Sequence, residues 1–118
     1  MIQIVLKGDP ISTQHLYGHW AMGKRVIRHL TPKGIKLKED YAWQAKSQYQ
    51  GKPLEGPLEV SLKLYFKDKR VRDWDNWHKA SMDSLSGIIW VDDTQIKKAT
   101  VEMGYDKAAR IEVIVKEI

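Results

Sequence analysis

The stretch that decides the fold is RVRDWDNWHKASMDSLSGIIWVDDTQI, which runs from Arg70 to Ile96 and contains five aspartates. Two carboxylates about 4 Å apart repel each other by roughly 4 kcal/mol at an effective dielectric near 20. A fold gains nothing from such crowding unless a positive charge sits between the carboxylates. A hard divalent cation is the obvious candidate for that charge.

The middle of this stretch predicts a helix from about Asn76 to Ser86, with Gly87 as the residue that ends it. On a helical wheel, small and apolar side chains fill one arc and a polar row occupies an opposite arc of roughly 100°. The polar row consists of Asp75, Asn76, Lys79 and Asp83. The spacing of Lys79 from each neighbouring aspartate predicts two i, i+4 ion pairs.

Two readings of these aspartates compete. In the first, they are surface ion pairs and a helix N-cap at Asp75, which together contribute little. In the second, Asp73 and Asp75 flank one residue of extended chain and direct both carboxylates to one side. Asp92 and Asp93 follow a short apolar run, 88–91, that predicts a buried strand, and strand ends are common places for sites. We therefore favour an acidic metal site.

The donor atoms indicate which metal would bind. Carboxylate oxygens suit Mg²⁺, or Mn²⁺ in its place, better than Zn²⁺, and the chain has no cysteine. His78 falls near the apolar arc, which favours a packing role for it. An acidic Mg²⁺ site suits phosphodiester hydrolysis, in which the metal offsets phosphate charge and activates water. Lys79 could orient a carboxylate or stabilise developing charge on the phosphate.

Length and composition limit the class of protein. The 118 residues suit one domain spanning 1–118, and 42% hydrophobic with 30% charged residues is typical of a globular chain. No apolar run approaches the roughly 20 residues of a membrane span, so no membrane partner is expected. The opening MIQIVLKGDP lacks the features of a signal peptide. Together with the absence of cysteine, this favours the cytoplasm.

The charge balance favours a polyanionic partner. Outside Arg70 to Ile96, seventeen basic residues face ten acidic ones, a net charge of +7. Basic and aromatic residues are candidates for phosphate contact and base stacking, although surface or packing roles are open for the loop residues. These candidates are Tyr17, Lys24, Arg25, Arg28, Lys33, Arg70 and Arg72, together with Trp20. Arg70 and Arg72 come immediately before the acidic pair and are the best candidates for gripping the cleaved strand.

The remaining sequence predicts an α+β fold. Thr31 and Pro32 indicate a helix N-terminus, from which a helix should run to about Gln50. An aperiodic stretch, 11–30, predicts a long loop or irregular hairpin. Alternating residues predict strands at 1–6, 58–66, 96–103 and 110–116. This order favours a small mixed or antiparallel sheet with two main helices packed on one face.

The motif D-W-D-N-W-H-K-A-S-M-D-S-L-S-G, followed by I-W-V-D-D-T-Q-I, resembles the signature of the RusA family of Holliday junction resolvases. That family's pattern is D-x-D-N-x-x-K-x-x-x-D-x-L, a short hydrophobic stretch, and D-D-x-Q-hydrophobic. Every defining position is present. The chain departs from the family at 12–14, where Ser-Thr-Gln replaces the Ser-x-Asn of many members.

The resemblance implies roles for individual residues. Asp73, Asp75 and Asp93 resemble the metal-binding carboxylates, and Lys79 resembles the catalytic lysine. Asp92 matches as a further metal-site residue, and Asn76 and Asp83 match as supporting residues. The resemblance also implies a mixed α/β fold and a homodimer with two Mg²⁺ sites. Such a dimer would cut opposed strands of a four-way DNA junction symmetrically, in recombination, repair or phage DNA processing.

Alternatives remain open at this point. A nuclease of the same family could act on a broader range of branched or flapped DNA. A non-catalytic nucleic-acid-binding module could use its aspartates only for caps and ion pairs. The tryptophans could serve a dimer interface, for which Trp74, Trp77 and Trp90 are the natural candidates.

Overall fold

A computed structural model describes residues 1–23 and 25–118, without the side chains of 14, 16–17, 19–22 and 25–28. Nine helices and strands are assigned within that description. In chain order they are β1 (Ile2–Lys7), α1 (Thr13–Leu16), β2 (Tyr17–Met22), β3 (Arg25–Leu30), α2 (Pro32–Gln48), β4 (Leu58–Phe66), α3 (Lys79–Leu85), β5 (Ile96–Tyr105) and β6 (Arg110–Glu117). Two 3₁₀ turns, Trp74–Asn76 and Asp93–Gln95, lie on either side of α3.

The main sheet has four strands in the order β1-β6-β4-β5. Strand β6 pairs antiparallel with both β1 and β4, whereas β4 and β5 run parallel. The sheet is therefore mixed, which was one of the two predicted arrangements, the other being a purely antiparallel sheet. A separate antiparallel hairpin is formed by β2 and β3.

One face of the sheet carries the hydrophobic core. Every second residue of β4, from Leu58 to Phe66, is buried, and its partners Ile111, Val113 and Val115 on β6 are buried too. Tyr41 and Ala45 of α2 and Ala80 and Leu85 of α3 complete the same cluster. Both helices thus pack on one face, which confirms the prediction of an α+β fold.

Helix α2 also provides hydrogen-bond partners for the backbone N–H and C=O groups on the outer edge of β1. Gln48 accepts from the Val5 N–H at 2.8 Å and donates to the Val5 carbonyl at 2.7 Å, and Gln44 does the same for Lys7 at 2.7 and 3.2 Å. Four residues along a helix and two along a strand each cover about 6 Å, so the two spacings match. The glutamines therefore take the place of a neighbouring strand.

The structure corrects the predicted helix at 76–86. Helix α3 begins only at Lys79, and Asp75 and Asn76 lie in the preceding 3₁₀ turn. The turn and the helix are separated by Trp77 and His78. Because the helix does not extend back to Asp75, the i, i+4 spacing of Asp75 and Lys79 does not make them neighbours on a helix.

The prediction of a strand at 88–91 is also wrong, because this segment forms a turn with isolated bridges. Gly87 adopts a φ of +87°, which a residue without a Cβ accommodates easily, and the chain then winds around the end of α3. Ile89 and Trp90 are fully buried as predicted. The segment pairs only through isolated bridges, in which Trp90 meets Leu54 and Ser86.

The aperiodic stretch, 11–30, forms α1 and the β2–β3 hairpin, so the hairpin alternative was the correct one. The helix start predicted at Thr31 is confirmed, because its Oγ1 accepts from the Gly34 N–H at 3.1 Å. That hydroxyl also donates to the His15 carbonyl at 3.0 Å. One side chain therefore caps α2 and fixes α1 to it.

Candidate active site

The segment that leads from β4 to the first aspartates is folded around Asp68. Its carboxylate accepts from the Arg70 N–H at 3.1 Å and from the Arg72 guanidinium at 2.7 Å. The backbone hydrogen bond from Arg70, together with the guanidinium of Arg72, lowers the pKa of Asp68 below its ordinary value. Sequence reasoning passed over Asp68, although an aspartate that bonds the N–H two residues ahead is a common turn former.

Arg72 lies inside this arrangement. Its Cζ is 4.1 Å from the centroid of the Phe66 ring and 5.5 Å from that of Trp77, and the two rings meet edge to face at 5.2 Å. Its Nη1 donates to the carbonyls of Asp68 and Arg70 at 3.3 and 3.2 Å. Only 14% of the side chain is exposed. The guanidinium thus fixes the backbone just before Asp73, a role that the sequence did not indicate.

Asp73 and Asp75 are both exposed at the start of the site. Asp73 has extended backbone, but Asp75 lies in the 3₁₀ turn Trp74–Asn76. The expectation of an extended chain through both aspartates is therefore wrong, and the strand-like alternation that would put both carboxylates on one side does not apply. The turn is held from the N-terminal region, since Thr13 Oγ1 donates to the Asn76 carbonyl at 3.0 Å.

Lys79 opens helix α3 with its ammonium 3.5 Å from the Asp83 carboxylate. The side chains are 41% and 22% exposed, so the pair is only partly shielded from water. This is the second of the two predicted i, i+4 pairs. The ammonium therefore remains accessible, on a residue that follows the Asp75 turn by three positions in the chain.

The second acidic element is built on a buried tryptophan. The Trp90 indole, itself fully buried, donates through Nε1 to the Asp93 carboxylate at 2.7 Å. Gln95 accepts from the Asp92 N–H at 2.8 Å and donates to the carbonyls of Leu54 and Gly56 at 2.7 and 2.9 Å. The motif's glutamine therefore anchors the turn, while the carboxylates of Asp92 and Asp93 remain exposed.

The carboxylates are suitable donors for a hard cation, but they do not form a ready-made cage. Within the described residues, no three His, Cys, Asp or Glu side chains lie together as a metal-binding group. Mg²⁺ is usually held by one or two carboxylates, with waters and substrate phosphates completing its shell. Individually, the exposed carboxylates of Asp73, Asp75, Asp92 and Asp93 offer the oxygen atoms that such a cation prefers, and their joint binding of one cation stays a prediction.

The predicted nucleic-acid contacts divide into three groups. Arg72 is only 14% exposed and is bound to Asp68, so the structure gives it a supporting role in the fold and not the accessible position expected for gripping DNA. Arg70, 82% exposed, and Lys33, exposed in the first turn of α2, are accessible to a polyanion. Lys24 and the side chains of Tyr17, Trp20, Arg25 and Arg28 lie outside the described residues. Of these candidates, Arg70 thus provides an accessible cation on the segment that leads into the acidic residues.

The three tryptophans proposed for an interface have different surroundings. Trp90 is fully buried and Trp77 packs on Phe66, so both belong to the interior of one chain. Trp74 is 60% exposed and stacks on His78 with ring centroids 6.2 Å apart, which gives His78 the packing role expected for it. Of these three, Trp74 alone is available for contact with another molecule.

No helix in the described part of the chain is long and apolar enough to span a membrane.

Comparison with known proteins gives a consistent match. The sequence model of the family described as endodeoxyribonuclease RusA matches residues 8–116. A crossover junction endodeoxyribonuclease from Enterobacteria phage 82 is 29% identical over 111 residues, covering 92% of this chain and 89% of the relative. The protein of the same name from Escherichia coli K12 is 28% identical with the same coverage. The uncharacterized protein YqaN of Bacillus subtilis is 24% identical, covering 99% of this chain and 96% of the relative.

Proposed function

Because the chain belongs to the RusA family of endodeoxyribonucleases, we propose that it is a metal-dependent DNA endonuclease that resolves four-way Holliday junctions. The observation that carries this proposal is the family match over 8–116, which includes every position of the acidic signature. Relatives that cover nine-tenths of the chain are named crossover junction endodeoxyribonucleases. We propose that residues 1–118 act as one endonuclease domain in the cytoplasm of a bacterial or phage-infected cell.

The carboxylates of Asp73, Asp75 and Asp93 would hold Mg²⁺ or Mn²⁺, with Asp92 beside them. The bound cation would offset negative charge on the cleaved phosphate and activate a water molecule. The Lys79 ammonium would stabilise negative charge on the phosphate as the bond breaks. Asp83 orients that ammonium from 3.5 Å, and the exposed Arg70 attracts the flanking backbone.

We propose further that the active form is a homodimer, because symmetric cleavage of a four-way junction requires two sites facing one substrate. A groove of about 590 Å³ supports this proposal. It lies on the core face of β4 and β5, with α3 and the turn before it contributing to its lining, and is lined mainly by apolar side chains including Leu62, Met82, Val101 and the exposed Trp74. Strand β5 is also an edge of the sheet, and such edges usually require cover.

The dimer is tested by sedimentation equilibrium at micromolar concentration. The wild-type chain should have twice the monomer mass, and Trp74→Glu should reduce it to the monomer mass. Trp43→Glu is the matched control, since Trp43 is 74% exposed on α2, away from the groove. A wild-type chain that stays monomeric at these concentrations, with and without DNA, would overturn this part of the proposal.

The activity is tested with a four-way junction, a flap and a linear duplex of shared sequence at equal concentration. The proposal predicts paired, symmetric nicks in the junction with Mg²⁺ or Mn²⁺, and none with EDTA. Equal cutting of the flap would favour a nuclease of broader branched-DNA specificity. Junction binding without metal-dependent cutting, in a folded protein, would favour a non-catalytic binding module.

A further inference from the structure

A second groove opens at the segment that precedes Asp73, where the parallel strands β4 and β5 end together at Phe66 and Tyr105. We call it the Tyr105 groove; its lining includes Phe66, Lys69, Arg70, Arg72, Met103 and Tyr105, together with Asp68. Its volume is about 280 Å³, slightly below the range of about 300–1,000 Å³ that is typical of sites for drug-sized ligands. The size suits one ring system rather than an extended ligand.

The groove combines exposed aromatic surface with positive charge. Tyr105 is 47% exposed and Met103 is 40% exposed, although both lie on the face of β5 that continues the core. The Lys69 ammonium lies 5.2 Å from the centroid of the Tyr105 ring, and within the described residues it forms no ion pair with a carboxylate. Arg70, 82% exposed, lines the same groove.

The charges favour an anionic occupant. The segment 67–72 contains four cations and one aspartate, and Asp68 is already bound to Arg70 and Arg72. Lys69 and Arg70 therefore remain exposed as donors to phosphate. An apolar protein segment would match the tyrosine and methionine but would leave the Lys69 ammonium, which has no ionic partner within the described residues, without one.

We propose that the Tyr105 groove binds one unpaired nucleotide of the branched DNA, with its base stacked on Tyr105 and its flanking phosphates held by Lys69 and Arg70. The inference rests on the proposed nuclease function. A branch point can expose bases that lack a stacking neighbour, and aromatic side chains bind such bases with little sequence preference. Lys69 has a flexible side chain that can move from the ring to the adjacent phosphate.

The location gives this nucleotide a role in positioning. Arg72 lies over Phe66 at one side of the groove, and its backbone continues directly into Asp73. A base held on Tyr105 would therefore fix the position of the bound DNA strand along its length. The protein segment that lines the groove continues directly into Asp73, the first of the proposed metal-binding residues. Selection of a branched substrate would follow, since a fully paired duplex has no free base to offer.

The direct test is photo-crosslinking of wild-type protein to junctions that carry 5-iodouracil at successive positions near the branch point. EDTA keeps the DNA intact during the experiment. We expect a crosslink to the peptide containing Tyr105 from one or two positions, and much less from linear duplex. Crosslinks that map only to other peptides would overturn the proposal.

Substitutions measure the contribution of the groove. Loss of base stacking in Tyr105→Ala should weaken junction binding by roughly 5- to 100-fold, whereas Tyr105→Phe should stay near wild type. Lys69→Gln should lower the slope of log affinity against log salt by about one. Trp43→Ala, which removes an exposed aromatic side chain elsewhere, is the matched control and should have no effect.

The outcomes separate this inference from the proposed function. If wild type cuts junctions and Tyr105→Ala binds them as tightly as Tyr105→Phe, the groove is not a nucleotide site although the enzyme assignment stands. A change in the mass of the protein caused by Tyr105→Ala, with affinity per dimer unchanged, would instead assign the groove to a second copy of the chain. Absence of metal-dependent cutting by wild type would refute the proposed function itself.

Discussion

Asp68 and Arg72 hold the segment before the acidic residues in place. The carboxylate binds the Arg70 N–H and the guanidinium, and the guanidinium in turn lies against Phe66 and Trp77. None of these contacts touches the proposed cation or phosphate. They fix the backbone that leads directly into Asp73, so their loss should affect folding and cleavage together.

The lowered pKa of Asp68 predicts a dependence of stability on pH. A carboxyl whose folded pKa lies below its unfolded value near 3.9 stabilises the fold above that value, and the contribution is lost as pH falls through the folded pKa. Wild type should therefore exceed Asp68→Asn in free energy of unfolding at pH 7. The difference should shrink below about pH 4 in urea titrations. A difference that is constant down to pH 2.5 would contradict this account.

Arg72→Lys tests the fork geometry of the guanidinium without changing the charge. The ammonium of lysine cannot reproduce both the hydrogen bonds to the 68–70 backbone and the packing on two rings. We expect a loss of about 1–2 kcal/mol in the free energy of unfolding, measured by chemical denaturation. Arg70→Lys is the control for stability, since Arg70 is 82% exposed, and it should change stability by less than about 0.5 kcal/mol. If both substitutions lowered the free energy of unfolding equally, the structural role assigned to Arg72 would be wrong.

At the scale of elements, the two glutamines of α2 determine how the helix sits against β1. Gln48→Glu keeps an acceptor for the Val5 N–H but removes the donor to the Val5 carbonyl. We expect a loss of about 0.5–1.5 kcal/mol in the free energy of unfolding. Gln50→Glu makes the same chemical change at an exposed position beyond the helix and should have little effect. Equal effects from both substitutions would mean that these bonds do not hold α2 on the strand.

Elements with a strong local signal were predictable from the sequence. The alternation of Leu58 to Phe66 and the capping threonine at Thr31 each specify a structure with little help from distant residues. Helix α3 was predicted to begin three residues too early, because the polar row that suggested a continuous helix spans a 3₁₀ turn and a helix. The strand at 88–91 was predicted from its apolar residues, but their burial arises from packing against α3 and the 54–56 connection.

The candidate site was predictable in its residue types but not in its supports. Charge repulsion between carboxylates that lie close together in the sequence makes Asp73, Asp75 and Asp93 candidates. Their joint role stays a prediction, since no three such side chains lie together within the described residues. The contacts of Asp93 with Trp90, and of Gln95 with Leu54 and Gly56, join residues that no periodic pattern connects. Such supports depend on the tertiary fold and therefore could not be read from spacing.

At the scale of the whole molecule, the basic surface should govern binding of DNA. Each phosphate that Lys or Arg neutralises releases counterions, so log affinity should fall linearly with log salt. For about four to six contacts, we expect junction affinity to drop by roughly 10²–10³-fold between 50 and 200 mM salt. Fluorescence anisotropy with a labelled junction and EDTA measures this directly. A flat titration would contradict the electrostatic part of the account.

The central claim is that the exposed carboxylates of Asp73, Asp75 and Asp93, together with Lys79, carry metal-dependent hydrolysis, and Asp75→Asn tests it most directly. Single-turnover cleavage of a saturated four-way junction in Mg²⁺ should fall by about 10³-fold or more, because a charged ligand of the metal is lost. Junction affinity should stay equal or rise, because one negative charge near the phosphate is removed. Glu39→Gln, an exposed change on α2, should retain the wild-type rate. Wild-type cleavage by a folded Asp75→Asn protein would contradict the account.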